Sequence, residues 1–165
     1  MTPGAGMRAL FTPWRLAYIM SLKRDAGCVF CKAQKGADEK SLILHRGRHN
    51  FVILNLYPYN NGHLMVVPFR HLASPCEAEP EERAEMMELA VHCQNALQKT
   101  YSAEGFNLGM NLGRGAGAGV AEHFHLHVVP RWVGDTNFMS VVGETRIVPE
   151  DLKQTLEKLK KNFNS

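Results

Sequence analysis

Glu122-His123-Phe124-His125-Leu126-His127-Val128-Val129-Pro130-Arg131-Trp132 places three histidines at alternate positions, with Phe124, Leu126 and Val128 interleaved. Polar and apolar residues alternating with period two describe a half-buried strand. Successive strand side chains point to opposite faces. The run therefore predicts three imidazoles on one face and Phe124, Leu126 and Val128 in a core. Neighbouring imidazoles are then roughly 6.5–7 Å apart, two residues of strand rise. No single atom is within reach of all three, so their roles are expected to differ. Three histidines in register point to chemistry at this face.

The chain of 165 residues is long enough for one domain with a substantial core. Its 21% charged residues are ordinary for a globular protein. The net charge of +3 comes from well-mixed acidic and basic residues. The absence of a Lys/Arg block argues against a nucleic-acid track and for local anion pockets. No run approaches the ~20 apolar residues of a membrane span. Residues 1–10 contain Gly and Pro but no apolar signal core, which predicts a loose tail on a cytoplasmic chain, with residues 11–165 forming a single domain. Four cysteines are then expected to be reduced thiols, and Cys28 and Cys31 have the spacing of metal ligands.

Pro13 is suited to open a short helix carrying Trp14, Leu16 and Tyr18. A turn is expected at residues 28–31 and a polar loop at 34–40. Residues 41–46 and 49–54 read as two strands of a hairpin around Gly47 and Arg48. A turn at 57–62 leads to a third strand, 63–67, ended by Pro68. Pro80 opens a long amphipathic helix to about Thr100, with Met86, Leu89, Ala90, Cys93 and Leu97 on its apolar side. Residues 106–111 and 122–129 read as the fourth and fifth strands, and a C-terminal helix starts near Pro149. Strands broken by two main helices predict an α+β fold with an antiparallel sheet of about five strands.

Between the last two strands, Gly115-Ala116-Gly117-Ala118-Gly119 puts five small residues beside the histidine run. Backbone amides in such a loop can approach an anion without a Cβ in the way. Asn111 and Arg114 flank it; the same stretch also fits a plain hairpin loop.

His123-Phe124-His125-Leu126-His127-Val128-Val129 resembles the signature of the histidine triad (HIT) family of nucleotide hydrolases and transferases. Asn55 before a proline-containing turn, Gly62-His63, Val66-Val67-Pro68 and Pro130-Arg131 extend the resemblance over about residues 11–152. The run 131–139 is similar to the bacterial branch nearest diadenosine polyphosphate phosphorylases and hydrolases. The resemblance implies a HIT-like fold and a homodimer, with an adenine nucleotide or dinucleotide as substrate. It implies that His125 attacks the α-phosphorus of a phosphoanhydride or phosphoramidate, forming a nucleotidyl-histidine that water or phosphate then cleaves. Such a division replaces one difficult displacement by two easier ones. The amides of Gly117, Ala118 and Gly119, together with His127, are the expected donors to the phosphate. His63 orients the site, donates to it, or is a buried structural histidine. Asn55 resembles a ribose ligand; Phe51 or Ile53 lines an apolar slot for the base, or both are core. The family often has a polar side chain three or four residues before the first triad histidine, where this chain has Val120 and Gly119. Either Asn111 supplies that group or protonation of the leaving group falls to His127.

Cys28 and Cys31 alone fit a zinc site or a redox pair. By resemblance, His71 and His123 complete a closed set for one structural zinc per chain. Two further readings stand beside the nucleotidyl enzyme. One is a zinc-dependent hydrolase in which His123 and His125 hold a catalytic metal. The other is a nucleotide-binding regulatory protein with incidental activity.

Overall fold

The computed structural model describes residues 27–135 and 150–163. The expected tail, the helix opened by Pro13, residues 136–139 and the start near Pro149 lie outside them. Five strands, β1 (Ile43–Arg46), β2 (Asn50–Leu54), β3 (Leu64–Pro68), β4 (Gly105–Gly109) and β5 (Leu126–Arg131), form one sheet in the order β1-β2-β3-β5-β4. Every neighbouring pair is antiparallel. The helices are α1 (Val29–Ala33), α2 (Asp38–Ser41), α3 (Pro80–Tyr101) and α4 (Leu152–Phe163).

Alternation along the strands divides the core between the two faces of the sheet. Val52, Leu54, Leu64, Val66, Leu126 and Val128 pack against the apolar sides of α3 and α4, which include Leu89, Leu97, Leu156 and Leu159. Phe51, Ile53, Met65 and Val67 face the other way and pack with Phe30 of α1. His127 lies opposite Met65 of β3 and Gly109 of β4. Both long helices therefore cover the face opposite the histidines.

The elements differ from expectation where local hydrogen bonds compete with the ladder. β5 starts at Leu126, so His123 and His125 precede the strand. The Phe124 amide instead donates to the carbonyl of Leu72 at 2.7 Å, outside the sheet. Cys28 is the N-cap residue of a one-turn helix rather than part of a free turn, and the polar stretch 34–40 leads into α2. β4 stops at Gly109, two residues short of Asn111.

Two devices hold the hairpin turns. Gly62 has φ +78°, and a Cβ there would come within 2.7 Å of Leu97, so the β2–β3 turn needs glycine to sit against α3. At the β1–β2 turn, the Glu85 carboxylate accepts from the amides of Arg48, His49 and Asn50 and from the Asn50 side chain. Burial alone raises the pKa of Glu85, but these four donors outweigh it and hold the group below its usual 4.5. A depressed carboxylate pKa stabilises the fold above the unfolded value, and the contribution is lost as pH falls through the folded value. Glu85→Ala is expected to cost about 2 kcal/mol. Urea unfolding should show the gap to the parent protein narrowing below pH 4.5; a gap constant from pH 7 to pH 3 would contradict this account of the turn.

Candidate active site

The three histidines of the run separate because each ring has a different polar partner. His123 is fully buried, and its Nε2 lies 2.9 Å from the carbonyl of Pro68. A carbonyl only accepts, so Nε2 carries the proton and Nδ1 keeps its lone pair. That Nδ1 faces the Sγ atoms of Cys28 and Cys31 at 3.3 and 3.6 Å. His71 Nδ1 lies 3.3 Å from Cys31 Sγ. The donor atoms of Cys28, Cys31, His71 and His123 all lie within 4.8 Å of one another, a cluster able to hold a metal ion.

His125 is 6% exposed, and its Nδ1 donates to the carbonyl of His123 at 3.1 Å. The neutral ring therefore presents an unprotonated Nε2. Burial lowers its pKa, partly opposed by that carbonyl, so the imidazole is kept in the nucleophilic form. His127 continues the series in the opposite tautomer. The amide of Tyr59 donates to Nδ1 of His63 at 3.1 Å, which leaves the proton of neutral His63 on Nε2. That proton is donated to Nδ1 of His127 at 3.0 Å. His127 is then protonated at Nε2, its remaining nitrogen. Burial and the neighbouring His125 lower its pKa to about 4, so it is a neutral donor at pH 7. The rings of His125 and His127 are 4.7 Å apart between centroids, closer than two residues of regular strand provide, because His125 precedes the ladder.

Both rings line a cavity of about 400 Å³, within the usual range for small-molecule sites. Phe30, Leu42, Ile53, Met65 and Val120 supply apolar wall; Asn55, Tyr57, Tyr59, Asn111, Gly117 and Gly119 supply polar or backbone surface. Phe30 also lies against His125 with ring centroids 4.8 Å apart, tilted by 55°, and meets His123 edge-on at 5.4 Å, so one aromatic ring links the cysteine cluster to the cavity. The Asn55 side-chain oxygen accepts from the Tyr57 amide at 2.9 Å, and its Nδ2 lies 3.3 Å from His63 Nδ1.

Four expected site residues are placed differently. Phe51 is fully buried and packs on Phe69 at 5.3 Å; it belongs to the core beneath the cavity, because β2 directs it into the second apolar cluster. His63 is fully buried behind His127 and does not line the cavity, and its Nε2 lies 3.0 Å from His127 Nδ1. The glycine-rich loop winds into a 3-10 turn, Arg114–Ala116, in which the Gly117 amide donates to Arg114 and the Ala118 amide to Gly113. Those two amides are engaged inside the loop, and Ala118 is not part of the cavity wall. Gly119, like Gly117, lines the cavity. Phe30, Leu42, Tyr57 and Tyr59 escaped the sequence reading. Only Phe30, sandwiched between the two cysteines, carried a signal that could have found it.

Residues 37–133 match the family described as HIT domain. The chain is 39% identical over 157 residues to the AP-4-A phosphorylase of Mycobacterium tuberculosis, covering 90% of this chain and 80% of that protein. Among solved structures it is similar to a Zn-bound histidine triad family protein from Mycobacterium smegmatis. That likeness has TM-score 0.68 and 26% identity, over 84% of this chain and 94% of the other. A histidine triad nucleotide-binding protein from Sulfolobus tokodaii, with TM-score 0.67 and 24% identity over 83% of this chain and 92% of the other, shares the fold.

The hydrogen-bond pattern has a direct spectroscopic consequence. Nitrogen–proton correlation spectra at pH 7 are expected to show neutral His125 protonated at Nδ1 and neutral His127 protonated at Nε2. His127 should take up a second proton only near pH 4. The reverse tautomer at either ring would contradict the assignment.

Proposed function

The chain belongs to the histidine triad family, and from that premise we propose that it cleaves a phosphoanhydride of an adenine nucleotide such as diadenosine tetraphosphate. The observation that carries this reading is the unprotonated Nε2 of His125 beside a proton-bearing Nε2 of His127 at one cavity. The lone pair of His125 Nε2 attacks the α-phosphorus. The bond from phosphorus to the departing polyphosphate oxygen breaks and its electron pair leaves with that oxygen as a polyphosphate anion, while the Nε2–H of neutral His127 hydrogen-bonds the phosphate oxygens and keeps its proton. Water or inorganic phosphate then displaces His125 from the nucleotidyl intermediate. The Gly119 amide and Asn111 are positioned to stabilise charge on the phosphate oxygens. Asn55 lies where it can meet the ribose, and the slot between Phe30, Leu42 and Ile53 suits a flat apolar base. With backbone alone at Gly119 and Val120, a leaving group that is already a stable polyphosphate anion suits the site best.

The four-residue cluster is read as a structural zinc site. Zn–S bonds of about 2.3 Å and Zn–N bonds of about 2.0–2.1 Å give a tetrahedron with S···N edges of roughly 3.6 Å. Three of the four S···N separations run from 3.3 to 3.6 Å. The Pro68 carbonyl holds His123 in the tautomer that coordinates through Nδ1. Zinc bound there ties α1 to the segments before β5 and after β3, and four protein ligands leave no open position for chemistry. Geometry thus favours this over a catalytic metal shared by His123 and His125, since His125 Nε2 belongs to the cavity and not to the cluster. A homodimer and residence in the cytoplasm complete the reading; among the described residues no helix is long and apolar enough to cross a membrane.

Purified protein is expected to carry about one zinc per chain by elemental analysis. Cys31→Ser should lose the metal and melt at lower temperature; full zinc content in that variant would move the site elsewhere. His125→Ala is expected to lose at least ~10³-fold in turnover of diadenosine tetraphosphate while remaining folded. Retained activity would sink the covalent mechanism. Comparing products with and without phosphate, ADP plus ATP against AMP plus ATP, identifies the acceptor.

A further inference from the structure

The β2–β3 turn does more than connect strands, because its Tyr59 amide is the nearer of two donors, with Asn55 Nδ2 at 3.3 Å, that set the tautomer of His63 and through it that of His127. Tyr59 donates that amide to His63 Nδ1, and its ring stacks on His63 with centroids 4.8 Å apart. The next residue, Asn60, accepts the backbone N–H of His63 at 3.1 Å on its own carbonyl. Its side-chain Nδ2 reaches across to β5, donating to the carbonyl of Pro130 and to Oδ2 of Asp135, each at 3.0 Å. Asp135 is itself gripped at both oxygens by Arg131, through Nε at 2.6 Å and Nη2 at 2.7 Å, and by the Trp132 amide at 3.3 Å. Arg131 Nη1 continues to Asn107 Oδ1 on β4 at 2.7 Å. The Asp135 side chain is 12% exposed. Burying a carboxylate is costly unless it is paired, and the guanidinium of Arg131 meets that cost and keeps it ionised.

We propose that Asn60 and Asp135 are positioning residues for catalysis, forming a clip that registers the Tyr59 amide, and through it His63, against the strand that carries His127. The clip closes a loop of contacts on one rigid element. Pro130, one of its anchors, lies three residues beyond His127 on β5, so the distance from the clip to the catalytic ring is set by strand geometry. His63 and His127 approach to 3.0 Å because the turn is pinned at its other end. Released from Asp135 and Pro130, the turn loses the constraint that aims the Tyr59 amide at Nδ1. His63 Nδ1 then keeps only the longer contact to Asn55 Nδ2, so the second tautomer becomes accessible to His63 and with it to His127. Charged pairing is suited to this task because Asp135 directs Asn60 as well as holding it, offering an acceptor where an apolar contact offers none. The inference rests on His127 as the Nε2–H hydrogen-bond donor to the phosphate in the proposed reaction.

The test uses Asp135→Asn and Asn60→Ala in the full chain, the second removing the clip without touching the Arg131 pair. In each folded variant, kcat on diadenosine tetraphosphate is expected to fall on the order of tenfold to a hundredfold, as displacement of a reacting group costs. KM should stay within about threefold, since neither residue touches the cavity. Nitrogen–proton spectra of the ligand-free variants at pH 7 should show His127 as a mixture of tautomers. His127 remaining purely Nε2-protonated in folded Asn60→Ala would overturn the proposal, as would a raised KM with unchanged kcat. Should Asp135→Asn not fold, Asn60→Ala alone decides. A separate His127→Ala variant with full turnover would remove the donor role while leaving the tautomer result to judge the clip.

Discussion

Each histidine of the run has one nitrogen committed to a neighbour with fixed donor or acceptor character, and this commitment is what the site depends on. Two backbone carbonyls and one backbone amide make the assignment. Pro68 takes the Nε2 proton of His123, the His123 carbonyl takes the Nδ1 proton of His125, and the Tyr59 amide acts on His127 through His63. Backbone groups cannot change protonation state, so the three imidazoles cannot trade tautomers while the backbone stays in place. One ring is left with a lone pair toward two thiols, the next with a lone pair toward the cavity, and the third with a proton.

The sheet supplies the frame in which those backbone groups hold still. β3 and β5 bring Met65 opposite His127, while α3 and α4 are confined to the far face by the alternation of Val52, Leu54, Leu64 and Val66. Among the described residues the near face carries α1, whose Phe30 lies against both His123 and His125, and the loop residues that line the cavity. Metal binding at the cysteines would fasten the same one-turn helix that forms part of the cavity wall. A helix of five residues has little stability of its own, which gives a physical reason for anchoring it through Cys28 and Cys31.

Much of this was legible in the sequence wherever a single periodicity governed a segment. The hairpin around Gly47, the third strand up to Pro68 and the long helix from Pro80 follow from alternation, turn residues and a 3.6-residue apolar pattern. The spacing of Cys28 and Cys31 suggested a metal pair, and the family resemblance added His71 and His123, the four residues that folding brings together. What escaped depended on contacts between segments distant in sequence. Phe51 and Ile53 share a face of β2, and only the packing of Phe69 on Phe51 distinguishes core from cavity wall. The histidine run reads as one strand, yet Phe124 bonds to Leu72, some fifty residues earlier, and its first half leaves the ladder. Five small residues after Arg114 suggested three free amides, and the 3-10 turn engages two of them. The asparagine and aspartate that hold the β2–β3 turn are commonplace loop residues until Asn60 and Asp135 are seen to meet.

The separation of the three rings leads to one bond, between His125 Nε2 and a phosphorus atom. Rapid quenching of the enzyme with diadenosine tetraphosphate, followed by peptide mass spectrometry and phosphorus NMR of the isolated peptide, examines that bond directly. The account predicts an adenylyl group on Nε2 of His125 in wild-type protein and none in His125→Ala. An adenylyl group on His127, on Nδ1 of His125, or on no histidine while turnover proceeds would contradict it.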